Sequence, residues 1–321
     1  MAGRSHSSDP VVLDQITKRY GNFTAVDNLS FRVAQGEIYG FLGPNGAGKT
    51  TTLRMLLDIV KPTTGSISVL GASSAINVRR KIGYLPEERG LYRKMKAVDS
   101  ISYFAQLRGL PSGKAKRRAN ELLEQFGLEK FAKSKNEALS KGMAQKVQLL
   151  ATIAHEPELL ILDEPFSGLD PINQQTLEAL ISDQRANGRT IIFSTHVMQH
   201  AERLCDRFLI LAHGQKRFEG TLEAARALYG HRLHVRSAAP PEAFERLAGV
   251  ISVRLEKAGG DENLYEIELA DNADPQSFLR QVVGAGIQIS RFEQAGATLH
   301  EIFVSLAGDE AATSDLAEAA E

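Results

Sequence analysis

Three places in this sequence group residue types that could handle a polyphosphate. The first is Gly43-Pro44-Asn45-Gly46-Ala47-Gly48-Lys49-Thr50. Glycines at 43, 46 and 48 would let the backbone take conformations that a side chain forbids, so that its N–H groups point inward at an anion. Lys49 would reach the β- and γ-phosphates, and the Thr50 hydroxyl would ligate Mg²⁺. The second place is the adjacent pair Asp163-Glu164. Two neighbouring carboxylates can divide the work: Asp163 would hold Mg²⁺ through water, while Glu164 would orient and deprotonate an attacking water. The third is His196, whose neutral imidazole could donate to a γ-phosphate and fix that water. Singly, these read as a glycine-rich turn, a helix cap and a structural histidine. Together they favour the catalytic reading.

The surrounding elements would position them at one edge. The apolar run Glu37 to Leu42 reads as a buried strand entering the glycine loop, and Thr51 to Leu57 as the helix leaving it. The partial positive charge at that helix's start adds to the field of the loop. Glu158 to Pro165 is a continuous apolar strand ending in the two carboxylates, and Thr190 to His196 is another ending in the histidine. Strands buried on both faces have this pattern. Alternation of strands and helices over residues 33–205 predicts a parallel α/β sheet, whose ligands sit at the carboxyl edge. Before it, strand-like runs from Val11 and from Ala25 to Val33 flank a turn at Tyr20-Gly21-Asn22, with a further short strand at Ser66 to Leu70.

From Ala97 to Leu128 the apolar spacing predicts two or three helices broken near Gly109-Leu110-Pro111. The basic cluster Lys114, Lys116, Arg117 and Arg118 there reads as a solvated face. Ser140 is a natural N-cap for a helix to about His155, and Gly142 follows it. A hydroxyl and bare N–H groups at a helix start make a second anion site. One triphosphate already has its loop, so this second site suggests a phosphate sandwiched between two copies of the chain. Beyond Tyr229-Gly230 the order of elements becomes βαββαβ, ending in a strand at Ile287 to Phe292, which matches a small ferredoxin-like unit. A short helix from Thr298 and an acidic tail after Gly308 close the sequence.

Composition bounds the partners. The 321 residues carry a net charge of −1, which gives no general attraction to nucleic acid. The single cysteine, Cys205, rules out an intrachain disulfide and suits a reducing compartment. No apolar run approaches the roughly 18 residues of a membrane span, and Met1 to Pro10 lacks the apolar core of a signal peptide. A membrane role would therefore come through a partner.

These motifs resemble the ATP-binding subunits of ABC transporters over about residues 11–225. Gly43 to Thr50 looks like the Walker A loop, and Leu159 to Glu164 like Walker B with its glutamate. Leu139-Ser140-Lys141-Gly142-Met143 resembles the signature motif, Ser167-Gly168-Leu169-Asp170 the D-loop, and His196 the switch histidine. The resemblance implies an α/β P-loop ATPase cassette with N-terminal antiparallel strands and a helical subdomain at about 91–157. It also implies an accessory α+β domain at 230–308; by their own composition residues 1–10 read as a flexible tail and 309–321 as an acidic disordered one. It implies ATP and Mg²⁺, with Tyr20 stacking on adenine and Gly43, Asn45, Gly46, Gly48, Lys49, Thr50 and Thr51 around the phosphates. Ser140 and Gly142 would reach the nucleotide from the second copy of a head-to-tail dimer. Glu87 stands where the family keeps a glutamine near Mg²⁺, Lys141 where it keeps a glycine, and Met143 where it keeps a glutamine.

Together with Tyr84 to Tyr92, those departures resemble the branch serving sodium-extrusion and drug-extrusion exporters. The expected partner is a separate polytopic membrane subunit, contacted through about Glu87 to Gly109 at the cytoplasmic face of the membrane. The alternative is a soluble ABC-type ATPase acting on ribosomes or DNA. Such proteins carry paired cassettes or long inserts, and this sequence shows one cassette with a compact interval between Thr50 and Leu139.

Overall fold

A computed structural model describes residues 9–307, except 89, 229–230, 271–272 and 296. The expected tails therefore fall almost wholly outside the described residues. The chain forms two compact units, one through Glu219 and one over Gly220–Leu306.

The first unit opens with β1 (Val11–Tyr20) and β2 (Phe23–Val33), which pair antiparallel. Then come β3 (Ile38–Leu42), α1 (Lys49–Leu56), β4 (Thr64–Val69), α2 (Ala75–Val78) and β5 (Ile82–Leu85). Helices α3 (Ala97–Leu107), α4 (Ser112–Gln125) and α5 (Lys141–Ile153) follow, with the break at Gly109 where φ is +105°. The unit continues through β6 (Leu159–Leu162), α6 (Pro171–Ala186), β7 (Thr190–Thr195), α7 (Met198–Leu204), β8 (Arg207–Ala212) and β9 (Gln215–Gly220).

Its main sheet has the order β5-β6-β7-β3-β8-β9, and the pairs from β5 to β8 are parallel. The second sheet, β2-β1-β4, is antiparallel. Alternate residues of each parallel strand enter opposite cores, which explains the uninterrupted apolar runs. Leu159 and Ile161 of β6 join Tyr39, Phe41, Leu53 and Leu209 in the core shared with β1 and β2. Leu160 and Leu162 join Ile101, Leu122, Leu150 and Phe193 in the core shared with α3, α4 and α5. The basic cluster on α4 is solvated, and Lys116 and Arg118 pair with Asp99, Glu121 and Glu156 at 3.6 to 4.0 Å.

The second unit starts with α8 (Leu222–Ala227), a helix the sequence reading did not anticipate, capped by the Thr221 hydroxyl accepting from Ala224 N–H. It continues with β10 (His231–Ser237), α9 (Glu242–Glu245), β11 (Val250–Lys257), β12 (Asn263–Leu269), α10 (Pro275–Gly284), β13 (Arg291–Ala295) and α11 (Leu299–Ala307). The sheet order β11-β12-β10-β13 with antiparallel pairs is that of the ferredoxin-like βαββαβ unit. Its last strand begins at Arg291, later than the expected Ile287. Ile287 and Ile289 instead anchor the preceding loop against a core of Phe244, Tyr265, Ile267 and Phe278. Alternation alone could not tell the two placements apart.

Candidate active site

The glycine loop runs from the carboxyl end of β3 into α1. Two of its glycines hold left-handed backbone, Gly46 at φ +80° and Gly48 at φ +103°. Gly43 is required for a different reason from the one expected: its φ is ordinary, but a Cβ there would lie 2.5 Å from the Leu211 carbonyl oxygen. A Cβ at Gly48 would meet the Ala25 carbonyl oxygen at 2.6 Å, whereas the space beside Gly46 is open. No side chain caps α1, so its first N–H groups stay available to an anion. Asn45 is exposed on the loop and Thr51 half-buried on the helix.

The ends of β6 and β7 bring the remaining chemistry to this loop. Thr50 donates to Asp163 Oδ1 at 3.3 Å, joining α1 to the end of β6. Lys49, buried, donates to the Gly43 carbonyl at 2.6 Å and the Pro44 carbonyl at 3.3 Å. Its ammonium also faces Glu164 Oε1 at 3.2 Å. The other carboxylate oxygen of Glu164 meets His196 Nδ1 at 3.0 Å. Lys49, Thr50, Asp163, Glu164 and His196 thus form one connected cluster at the carboxyl edge of the sheet, as the sequence predicts.

Burial and charge compete here. For Glu164, burial raises the carboxyl's affinity for its proton, but the His196 hydrogen bond and the Lys49 charge outweigh it and hold it below the ordinary range. The base candidate is therefore ionised at neutral pH. Asp163 is pushed up by burial, opposed by hydrogen bonds from Ser194 and Thr50. Glu87, in the exposed loop after β5, is also raised, first by partial burial and then by the Asp163 and Glu164 charges. It faces the same cluster from across the loop.

Two observations test the fit to Mg²⁺ and a phosphate. Thr50, Asp163 and Glu87 offer a hydroxyl and carboxylates, the hard oxygen donors that Mg²⁺ takes. Glu164 Oε1 is buried with the Lys49 ammonium at 3.2 Å as its charge partner and no hydrogen bond, so a donor brought by a ligand would complete its set. The residues present fit the group.

Other predicted residues lie outside this cluster. Tyr20 ends β1, 48% exposed as a residue, with the Lys18 ammonium 4.9 Å from its ring centroid. Ser140 caps α5, its hydroxyl oxygen accepting from Met143 N–H at 3.3 Å. Gly142 packs on α6, where a Cβ would come within 2.5 Å of the Asn173 side-chain nitrogen. Lys141 lies across Gly168. Sequence reasoning missed Ser194, which contacts both carboxylate residues. The strand period of two places it on the same face as His196, and that was the available signal.

Comparisons with known proteins show the family. The ABC transporter family matches residues 26–167, and the family described as ATP-binding protein DrrA1-3-like, C-terminal domain, matches residues 220–307. The ABC transporter ATP-binding protein YhaQ of Bacillus subtilis is 38% identical over 299 residues, covering 93% of this chain and 98% of that protein. The Nod factor export ATP-binding protein I of Burkholderia pseudomallei is 40% identical over 214 residues, covering 66% of this chain and 70% of that protein. A solved structure of an ATP binding subunit of an ABC transporter superposes with a TM-score of 0.64 at 35% identity, over 68% of this chain and 92% of that one. With a P-loop, paired carboxylates and a histidine converging on one sheet edge, and with a 38% identical relative matched over 98% of its length, this chain belongs to the ATP-binding subunits of ABC transporters.

Proposed function

We propose that this chain hydrolyses ATP with Glu164 as the general base and that the hydrolysis drives export through a separate membrane subunit. The observation that carries the chemistry is the buried sequence of contacts Lys49–Glu164–His196. Glu164 accepts the proton of the attacking water, and its ionised state at neutral pH suits that task. His196, bonded to Glu164, holds the carboxylate's orientation and offers its other nitrogen to the terminal phosphate. Lys49 here neutralises Glu164 and bonds the loop carbonyls; an incoming phosphate would draw the ammonium to itself and free the base. Thr50 and Asp163 would hold Mg²⁺, with Glu87 approaching from the facing loop, and the cation would supply charge neutralisation to the phosphate oxygens. Gly43, Asn45, Gly46, Gly48 and Thr51 would surround the phosphates, and Tyr20 would stack on adenine.

Ser140 and Gly142 open α5, which packs on α6. Their donors suit the nucleotide of a second copy, in a dimer that closes on two ATP. The membrane subunit would dock on the segment from about Glu87 to Gly109. There Tyr92 and Leu107 are 56% and 60% exposed, beside a cavity of about 220 Å³ lined by Tyr84, Phe104, Arg108 and His155. Among the described residues no helix is long and apolar enough to cross a membrane, in keeping with peripheral attachment at the cytoplasmic face. Export as the direction rests on relatives such as the Nod factor export protein. A net charge of −1 gives no general hold on nucleic acid.

The test is Glu164→Gln with Mg·ATP, applied to native membranes in detergent. The variant should bind ATP, accumulate a closed dimer, lose turnover by about 10²-fold or more, and capture a polytopic membrane protein in near-equal amount. Parental turnover would remove Glu164 as the base. Capture of ribosomes or DNA-bound proteins with no membrane protein would remove the export role.

A further inference from the structure

One fully buried hydroxyl joins the two carboxylate residues at the end of β6. Ser194 lies on β7 with no exposed surface. Its Oγ accepts the backbone N–H of Glu164 at 2.9 Å and stands 2.7 Å from Asp163 Oδ1. The amide can only donate, so the serine oxygen accepts there and leaves its own proton to the Asp163 carboxylate. The polarity of the link is therefore fixed. A single oxygen ties the side chain of one carboxylate to the main chain of the next.

The backbone at this point gives a second, independent observation. Glu164 sits at φ +44°, in the left-handed region that a long side chain adopts only under constraint. In that conformation its carboxylate meets Lys49 on one side and His196 on the other. The hydrogen bond from Glu164 N–H to Ser194 is the contact that holds this backbone from the neighbouring strand. Meanwhile the donation to Asp163 Oδ1 fixes the rotation of that carboxylate at the site where the cation would be held.

We propose that Ser194 is a positioning residue for ATP hydrolysis. It orients Asp163 toward Mg²⁺ and holds the strained turn that aims Glu164 at the attacking water, so the two adjacent carboxylates keep separate roles. This inference rests on the hydrolytic reading of the cluster given above. Ser194 itself touches neither substrate nor cation in this assignment; it acts through its neighbours.

The full-length chain, Ser194→Ala, Ser194→Thr and Glu164→Gln are compared in four measurements. These are steady-state ATP hydrolysis, binding of a fluorescent ATP analogue in EDTA, the Mg²⁺ concentration that half-saturates analogue binding, and thermal unfolding. Ser194→Ala should lower kcat by about 10- to 100-fold and raise the Mg²⁺ half-saturation by about 10-fold, the range for partners that orient metal ligands. Analogue binding in EDTA should stay within about twofold, because Lys49 and the loop are untouched. Ser194→Thr keeps the hydroxyl and should recover most of the Mg²⁺ response. If Ser194→Ala does not fold, Ser194→Cys replaces it, since a thiol is a weak donor and acceptor, with the same expectation.

A Mg²⁺ half-saturation and kcat within twofold of the parent in the alanine variant would overturn the inference. So would a loss of activity that follows only the unfolded fraction. Glu164→Gln separates the two levels: parental turnover there removes the hydrolytic reading itself. An inactive Glu164→Gln beside a fully active Ser194→Ala removes only the role of Ser194.

Discussion

At the residue scale, the site is built from groups that could not rest comfortably in isolation. Lys49 is buried, and an unpaired ammonium there would be strongly disfavoured. Two loop carbonyls and the Glu164 carboxylate receive it instead. The same carboxylate stays ionised because the partners it gains outweigh its burial. Glycine 48 shows the other kind of residue-scale demand, for absence of a side chain. At φ +103°, with Ala25 O 2.6 Å from where a Cβ would be, Gly48→Ala must move β2 or the loop. Strain of this type costs about 1–3 kcal/mol. We expect Gly48→Ala to weaken binding of a fluorescent ATP analogue by about 10-fold or more, and titration with the analogue measures it. Binding at parental affinity would mean that the loop geometry does not set the phosphate cradle.

At the element scale, the closeness of α5 to β5 decides where the helical region sits relative to the sheet. Gly83, in the middle of β5, allows it: a Cβ there would lie 2.7 Å from the Thr152 carbonyl oxygen of α5 and 2.7 Å from Leu160 Cδ2. The first of these is backbone, so a rotamer change cannot relieve it. Gly83→Ala should destabilise the first unit by about 1–3 kcal/mol, the usual cost of overpacking, read by denaturant unfolding. The same helix carries Ser140 at its start, so a displaced α5 should also change any pairing between two copies. Asn136 ties the neighbouring loop, donating to Tyr92 O at 2.9 Å and Ser100 Oγ at 2.7 Å. Within the segment expected to meet the membrane subunit, the loop at Tyr92 is thereby tied to α3.

At the scale of the whole molecule, one buried imidazole contributes to acid stability. His155, at the end of α5, donates from Nε2 to the Ile82 carbonyl at 3.1 Å. Burial, with Arg108 and Arg189 nearby, lowers its pKa from 6.5 to about 4. The unfolded chain therefore takes up a proton near pH 6.5 that the folded chain refuses until about pH 4. Stability contributed by this neutral imidazole is full above pH 6.5 and is lost as pH falls toward 4, by roughly 3 kcal/mol in all. His155→Gln should flatten the unfolding midpoint between pH 7 and pH 4.5. An unchanged slope in that variant would show that other groups govern the acid limb.

What the sequence by itself determined is whatever is carried by local pattern. Apolar runs ending in Asp163-Glu164 and in His196 specified strands buried on both faces, because only a doubly covered sheet accepts such runs. Parallel pairing then carried all three groups to one edge together with the glycine loop. The βαββαβ order of the second unit was legible from strands that alternate in burial, as in β12, around turn residues. What only the tertiary structure decided is the set of contacts between residues far apart in the chain. Lys49 on Glu164, Ser194 across Asp163 and Glu164, and Leu211 O above Gly43 are such contacts. The strand period puts Ser194 on the face of His196, but no spacing names the partners that these residues meet, since the crossovers between strands vary in length while the strand register fixes which side chains meet. The start of β13 at Arg291 was likewise settled by Ile287 and Ile289 filling the core, a competition that periodicity cannot rank.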